Sequence, residues 1–218
     1  MRFLFVALAL AFALDAQTGP PASTTPPAPP AIDTSKLEPG LYATINTSMG
    51  VMVALMFEKE TPATVANFIG LSRGTRPWLD PKTYKPLLRP LYANITFHRV
   101  IPQFMIQTGD PTGVGNHNCG FTIKDEIVPR LKFDRPGRLA MANIGEPNSG
   151  GCQFFITELD QPRLNGKNHT IFGQVVDGQD VVFKISHVLR DDNDKPRFPV
   201  KLIGITFLRI AAKAEPAQ

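Results

Sequence analysis

Cysteine is nearly absent from this sequence: Cys119 and Cys152 are the only two among 218 residues. At most one bridge can form, so a hydrophobic core, not a disulfide framework, must hold the fold. Charge of one sign is never concentrated either. The 23 Lys and Arg against 19 Asp and Glu leave a net charge of +4 and a pI near 9.2, yet the basic residues are scattered and form no run interleaved with aromatics. That distribution reads as a solvated basic surface, and no nucleic-acid partner is expected. Long hydrophobic runs are missing too. The apolar stretch from Phe3 to Leu14 falls short of the ~20 residues of a spanning helix, and no Cys follows it to carry a lipid anchor.

That stretch has another reading. Arg2 before it and Ala13 or Ala16 at its end complete a secretory signal over residues 1–16, so the chain is expected to be exported, periplasmic or secreted, with no stable membrane insertion after cleavage. Residues 17–36 read as a Pro-rich linker, because Pro20, Pro21, Pro26, Pro27, Pro29 and Pro30 alternate with Ala, Ser and Thr and offer nothing to bury. The folded domain is expected over 37–210, with a flexible tail at 211–218. At 43% hydrophobic and 19% charged residues the chain is long enough for one core, and a monomer is the default.

Eight β-rich runs bounded by Gly, Pro, Asn or Asp lie in the domain: Tyr42 to Thr47, Val51 to Phe57, Ile95 to Arg99, Phe104 to Thr108, Arg138 to Ala142, Gln153 to Thr157, Ile171 to Val176 and Val200 to Leu208. Ser48-Met49-Gly50 reads as a hairpin turn between the first two. Two segments break the pattern. Thr61 as a cap and Pro62 in the first turn open a helix that Gly74 ends, and Val181, Val182 and Ile185 take helical spacing after Gly178. The expectation is an all-β fold with two helices: an eight-stranded closed antiparallel β-barrel capped by α-helices.

The most informative stretch is Phe97 to Gln107. Arg99 carries a guanidinium that stays protonated, set beside Phe104 and Met105 and not opposite a carboxylate. Such a donor awaits a neutral acceptor, and a prolyl ring with its amide fits. Taken singly, Phe104, Met105 and Phe155 would be ordinary core residues and Arg99 a surface ion pair.

Together with their neighbours they say more. Phe97-His98-Arg99, Phe104-Met105-Ile106-Gln107, Gly109-Asp110, Met141-Ala142-Asn143, Gln153-Phe154-Phe155 and His169 with Ile171-Phe172-Gly173 occur in family order, and the chain from about Leu41 to Leu208 resembles the cyclophilins, the peptidyl-prolyl cis-trans isomerases or rotamases. The Trp78 to Pro90 segment and Gly109 to Gly113 resemble the bacterial branch. The resemblance implies an enzyme that speeds X-Pro rotation in unfolded or proline-containing polypeptides, assisting the folding of exported proteins. It implies Arg99 and Gln107 as catalytic residues, Gln107 steadying Arg99 or the substrate carbonyl. Phe104, Met105, Phe155 and Leu164 would hold the proline ring, Ala142, Asn143 and Gln153 would pair with the peptide, and His169 would lie at the pocket edge. No metal, cofactor or covalent intermediate is implied. Arg163 stands where the best-known eukaryotic members carry Trp, which implies weak cyclosporin binding.

Three readings compete at the margins. The same groove could serve a non-catalytic chaperone module that binds proline peptides. Cys119 and Cys152 could form a disulfide or be two unrelated small residues. Cys152 with His117 or His169 could also make a thiol hydrolase, although no signature of one surrounds it.

Overall fold

A computed structural model describes residues 33–212; the signal-peptide reading of 1–16, most of the linker and most of the tail lie outside the described residues. A short 3-10 turn, Thr34–Lys36, precedes β1 (Gly40–Thr47), β2 (Gly50–Met56), α1 (Pro62–Arg73), β3 (Trp78–Leu79), β4 (Pro86–Leu87), β5 (Ile95–Thr96), β6 (Arg99–Ile101), β7 (Met105–Thr108), β8 (Arg138–Met141), β9 (Phe154–Thr157), β10 (Ile171–Asp177), α2 (Gln179–Ser186) and β11 (Lys201–Ile210). Seven of the eight expected strands and both helices are present within a residue or two at most ends; the run Ile95 to Arg99 is split between β5 and β6. The β3–β4 hairpin was not expected: two-residue strands, one opening on Pro86, show no alternation to read.

The barrel needs correction on count and closure. Nine strands form one strongly curled antiparallel sheet in the order β5-β11-β1-β2-β10-β8-β9-β7-β6. Its edge strands are β5, which holds the start of the single strand expected at Ile95 to Arg99, and β6, which begins at that strand's last residue, Arg99, and runs on to Ile101. No ladder joins them. Instead Phe97 N–H reaches Val200 O on one side (3.0 Å) and His98 N–H reaches Gln107 O on the other (3.1 Å). The chain thus bridges the seam covalently, and the barrel is not strictly closed.

Alternation along the strands divides the side chains between two faces. Val100, Ile106, Leu139, Met141, Phe154, Ile156 and Phe172 point into the curl and join Phe68 of α1 and Val182 of α2 in the main core. Phe68 is the hub, with ring centroids 5.2 Å from Phe154, 5.1 Å from Phe172 and 5.4 Å from Tyr92. Met105, Ala140, Phe155 and Ile171 point the other way and form a second cluster with Phe133 on the outer face.

Helix α1 ends as expected, Gly74 adopting the left-handed conformation (φ 74°) that a side chain would resist. Its start differs. The Thr61 hydroxyl donates to Phe57 O and caps nothing, while the Glu126 carboxylate, distant in sequence, accepts the Ala63 N–H at 3.1 Å and the Thr64 N–H at 2.8 Å. A carboxylate there satisfies orphan donors and complements the helix dipole.

Candidate active site

The β6–β7 hairpin sets Arg99 directly opposite Gln107, β9 sets Phe155 opposite Gln107, β8 sets Ala140 opposite Phe155, and β10 sets Ile171 opposite Ala140. Five cross-strand neighbours therefore make one row on the outer face of the sheet, side chains adjacent as such pairs must be. The site lies outside the barrel, not within it. Arg99, Phe104, Met105, Gln107, Ala142, Asn143, Phe155, Leu164 and His169 line a single pocket of about 120 Å³. Gln153, the remaining candidate, lines an adjoining cleft of about 160 Å³ that shares Gln107, Ala142 and Asn143 with the pocket.

Buried supports hold the walls. Phe104 ends the hairpin turn, where Gln103 takes φ 61° and gives its N–H to the buried Glu158 carboxylate (2.8 Å), which also accepts the Ser186 hydroxyl (2.6 Å). Leu164 sits on the 3-10 turn Pro162–Leu164, pinned by Gln161. That residue donates its backbone N–H to Phe133 O (2.8 Å) and its side-chain amide to Gln103 O (2.7 Å).

Several expected roles are redistributed. Gln107 donates its amide to Gln153 Oε1 (2.9 Å) and so steadies Gln153, not Arg99. Gln153 in turn gives both amide hydrogens to Gly115 O (3.0 Å) and His117 O (3.1 Å), leaving a ligand only the second lone pair of its oxygen. The side chain of Asn143 is likewise spent on Lys167 O and on the Gly145 N–H, whereas no hydrogen bond among the described residues uses its backbone N–H or carbonyl. The loop that supplies the two carbonyls is organised by Asp110. Burial raises that carboxyl, but hydrogen bonds from Thr112, Gly115 and His117 outweigh it and hold Asp110 below the usual carboxylate range. Gly109, at φ 100°, lets this loop pass the next strand: a Cβ there would lie 2.3 Å from Cys152 O.

Arg99 does meet a carboxylate, contrary to the sequence reading. Asp194 Oδ2 lies 3.8 Å from its Nε, beyond hydrogen-bond reach, while Asp194 Oδ1 is 3.0 Å from Arg190 Nε. The turn carrying Asp194 is tied to the hairpin by the Val100 N–H donating to Asp194 O (2.8 Å). No local signal marks this residue, since it arrives from the loop between α2 and β11.

His169 sits edge-on to Phe155, centroids 5.2 Å apart. Burial pushes its imidazole below the ordinary range. The Met141 carbonyl, 3.0 Å from Nδ1, can only accept, so Nδ1 carries the hydrogen in the neutral ring. Among the described residues no three His, Cys, Asp or Glu come together as a metal site.

Cys119 and Cys152 form a disulfide, Cα atoms 6.2 Å apart, and Cys152 is one of the residues that line the adjoining cleft. That resolves the alternatives for the pair. It also removes the thiol hydrolase, because the sulfur required as nucleophile is already bonded.

The model of the family "Cyclophilin type peptidyl-prolyl cis-trans isomerase/CLD" matches residues 42–207. A probable peptidyl-prolyl cis-trans isomerase A of Mycobacterium leprae is 45% identical over 175 residues, 79% of this chain and 95% of its own length. Peptidyl-prolyl cis-trans isomerase A of Mycobacterium tuberculosis is 46% identical over 166 residues, 75% and 90% of the two chains. Among solved structures, a cyclophilin-type peptidyl-prolyl cis-trans isomerase of Cryptosporidium parvum, crystallised in the presence of the dipeptide Ala-Pro, superposes with a TM-score of 0.66 at 33% identity, covering 79% of this chain and 99% of its own.

Proposed function

The chain belongs to the cyclophilin-type peptidyl-prolyl cis-trans isomerases, and from that premise we propose how this site turns an X-Pro bond and where the enzyme works. The reaction is rotation about a C–N bond with a barrier of ~18–20 kcal/mol that relaxes unaided over tens to hundreds of seconds. Amide resonance makes the barrier. When the bond twists, the prolyl nitrogen becomes pyramidal and its lone pair, delocalised into the carbonyl in the planar ground state, is localised on nitrogen and able to accept a hydrogen bond. An Arg99 N–H aimed at that nitrogen is rewarded only in the twisted state, which is the condition for raising the rate and not merely tightening binding.

The observation that carries this reading is the row itself: a half-buried guanidinium on the same sheet face as an apolar pocket of ring size. A cavity of ~150 Å³ with apolar walls admits benzene, so 120 Å³ suffices for a pyrrolidine ring. Phe104, Met105, Phe155 and Leu164 grip the ring, the unspent backbone of Asn143 pairs with the peptide, and Gln107 acts through Gln153. Neutral His169 closes the edge without moving a proton. A hydrogen bond to a charged donor is worth ~1.5–3 kcal/mol, or roughly 10- to 150-fold in rate.

Residues 1–16 support export to a bacterial periplasm or the medium, where the enzyme assists the folding of proline-containing chains as a monomer, without nucleic acid as a partner. No observation favours the non-catalytic chaperone module.

The test is cis-to-trans relaxation of a short Ala-Pro peptide at low temperature, where the background is slow. Wild type accelerates it, Arg99→Ala loses most of the rate while keeping peptide affinity, and Arg99→Lys recovers little because Lys lacks the planar fork. Equal rates for Arg99→Ala and wild type would remove Arg99 from the mechanism.

A further inference from the structure

We propose that Arg163 makes this enzyme favour prolines flanked by an acidic residue, an inference that rests on the isomerase reading and specifies its substrates. Arg163 is exposed, one residue before the pocket-lining Leu164, and its guanidinium carbon lies 4.3 Å from the centroid of Phe104, a wall of the proline pocket. Arg99 approaches the same ring, at 5.9 Å. One aromatic wall thus carries two guanidinium groups at the mouth of one pocket.

The two differ in how much of their charge is answered. Arg99 has Asp194 at 3.8 Å. None of the ion pairs among the described residues includes Arg163, and Asp160, three residues earlier and exposed, does not come within pairing distance. Lys167, whose carbonyl receives the Asn143 amide, adds another exposed cation on the same stretch. Set over the Phe104 ring and making no side-chain hydrogen bond among the described residues, the Arg163 guanidinium keeps its N–H groups free to receive a carboxylate. The backbone beneath is already fixed by the Gln161 anchors, so little order has to be imposed when a client carboxylate docks.

The experiment uses capped, amidated tetrapeptides with Glu, Ala or Lys either just before or just after the proline, assayed for kcat/KM and for affinity at low ionic strength. At one of the two positions Glu exceeds Lys by about two- to fivefold, the scale of one exposed charge pair. The ratio decays toward one as salt shortens the Debye length. Arg163→Gln abolishes the preference and Arg163→Glu inverts it, while Arg163→Lys retains part. A free C-terminal carboxylate on the Ala peptide separates side-chain recognition from capture of a chain end: if the terminal carboxylate alone gives the preference and internal Glu does not, the proposal falls. It also falls if Glu and Lys peptides are handled equally, or if Arg163→Glu keeps the wild-type ratio. Affinity reports the preference independently of turnover, so loss of all catalysis would overturn the isomerase reading and leave this one still measurable.

Discussion

Neutralising Asp194 isolates a feature of the site that no local pattern announced. At 3.8 Å two unit charges attract by about 1 kcal/mol in a water-like dielectric and about 4 kcal/mol at an effective constant of 20. The side chains of Arg99 and Asp194 are 43% and 32% exposed, which places the pair near the lower limit, at ~0.5–1 kcal/mol of restraint on the guanidinium. Asp194→Asn is the appropriate change because Asp194 sits at φ 62°, where Asn is tolerated and Ala is strained, and the backbone bond from Val100 survives. If the carboxylate aims Arg99, kcat/KM on an Ala-Pro peptide falls about two- to fivefold at low ionic strength, and the deficit shrinks as salt is added.

Asp194 also pairs with Arg190, so loss of loop anchoring has to be told apart from loss of aim. Arg190→Ala removes that second pair and leaves Arg99 opposite Asp194. Aim predicts a fall in Asp194→Asn and near wild-type kinetics in Arg190→Ala. Equal losses in the two variants, or an Asp194→Asn enzyme as fast as wild type, would refute the reasoning.

The disulfide and the buried histidines give two further expectations. Cys119 and Cys152 are 33 residues apart, a loop whose closure is worth ~3.5–4 kcal/mol in the chain-entropy model; the double Cys→Ser variant should lose up to that amount in urea unfolding, and an unchanged midpoint would show that the bridge does not constrain the chain. Burial holds both His98 and His169 below the ordinary value of 6.5, so the unfolded chain binds more protons than the folded one just below that pH: stability is complete above about 6.5 and declines as pH falls through the window beneath it. Melting temperatures measured between pH 8 and 5 check the sign, and a melting temperature that rises on acidification would contradict it.

How much of this was legible depended on distance along the chain. The strands could be read because alternation and turn residues are local, and the end of α1 because Gly74 follows directly on the last helical turn. The residues that line the pocket could be read because three short segments carry most of them. The start of α1 could not, since its cap is Glu126, reached only once the chain has folded back. Ile95 to Arg99 looked like one strand because every residue in it suits a strand; only the curl of the whole sheet forces its two ends to pair with different neighbours. Asp194 and the placing of Arg163 over Phe104 belong to the same class of fact, as does the fate of the Gln107 amide.

That the pocket lies on the outer face of the sheet explains how a small chemical advantage can be made reliable. One hydrogen bond that favours the twisted amide is useful only if its donor cannot follow the nitrogen back to the planar state. Arg99 is held by its strand, by the cross-strand register with Gln107 and by a carboxylate that attracts without bonding, so its Nη groups stay free to donate. Opposite it, Gln107, Gln153 and the carbonyls of Gly115 and His117 form a continuous hydrogen-bonded chain anchored by Asp110. On the proposed reading the peptide lies between Arg99 and this chain, two supports joined through the β6–β7 register at Gln107. Rotation can then be confined to the one bond between them, and the barrel interior, packed solid by Phe68 and its neighbours, supplies the stiffness that keeps those supports at a fixed separation.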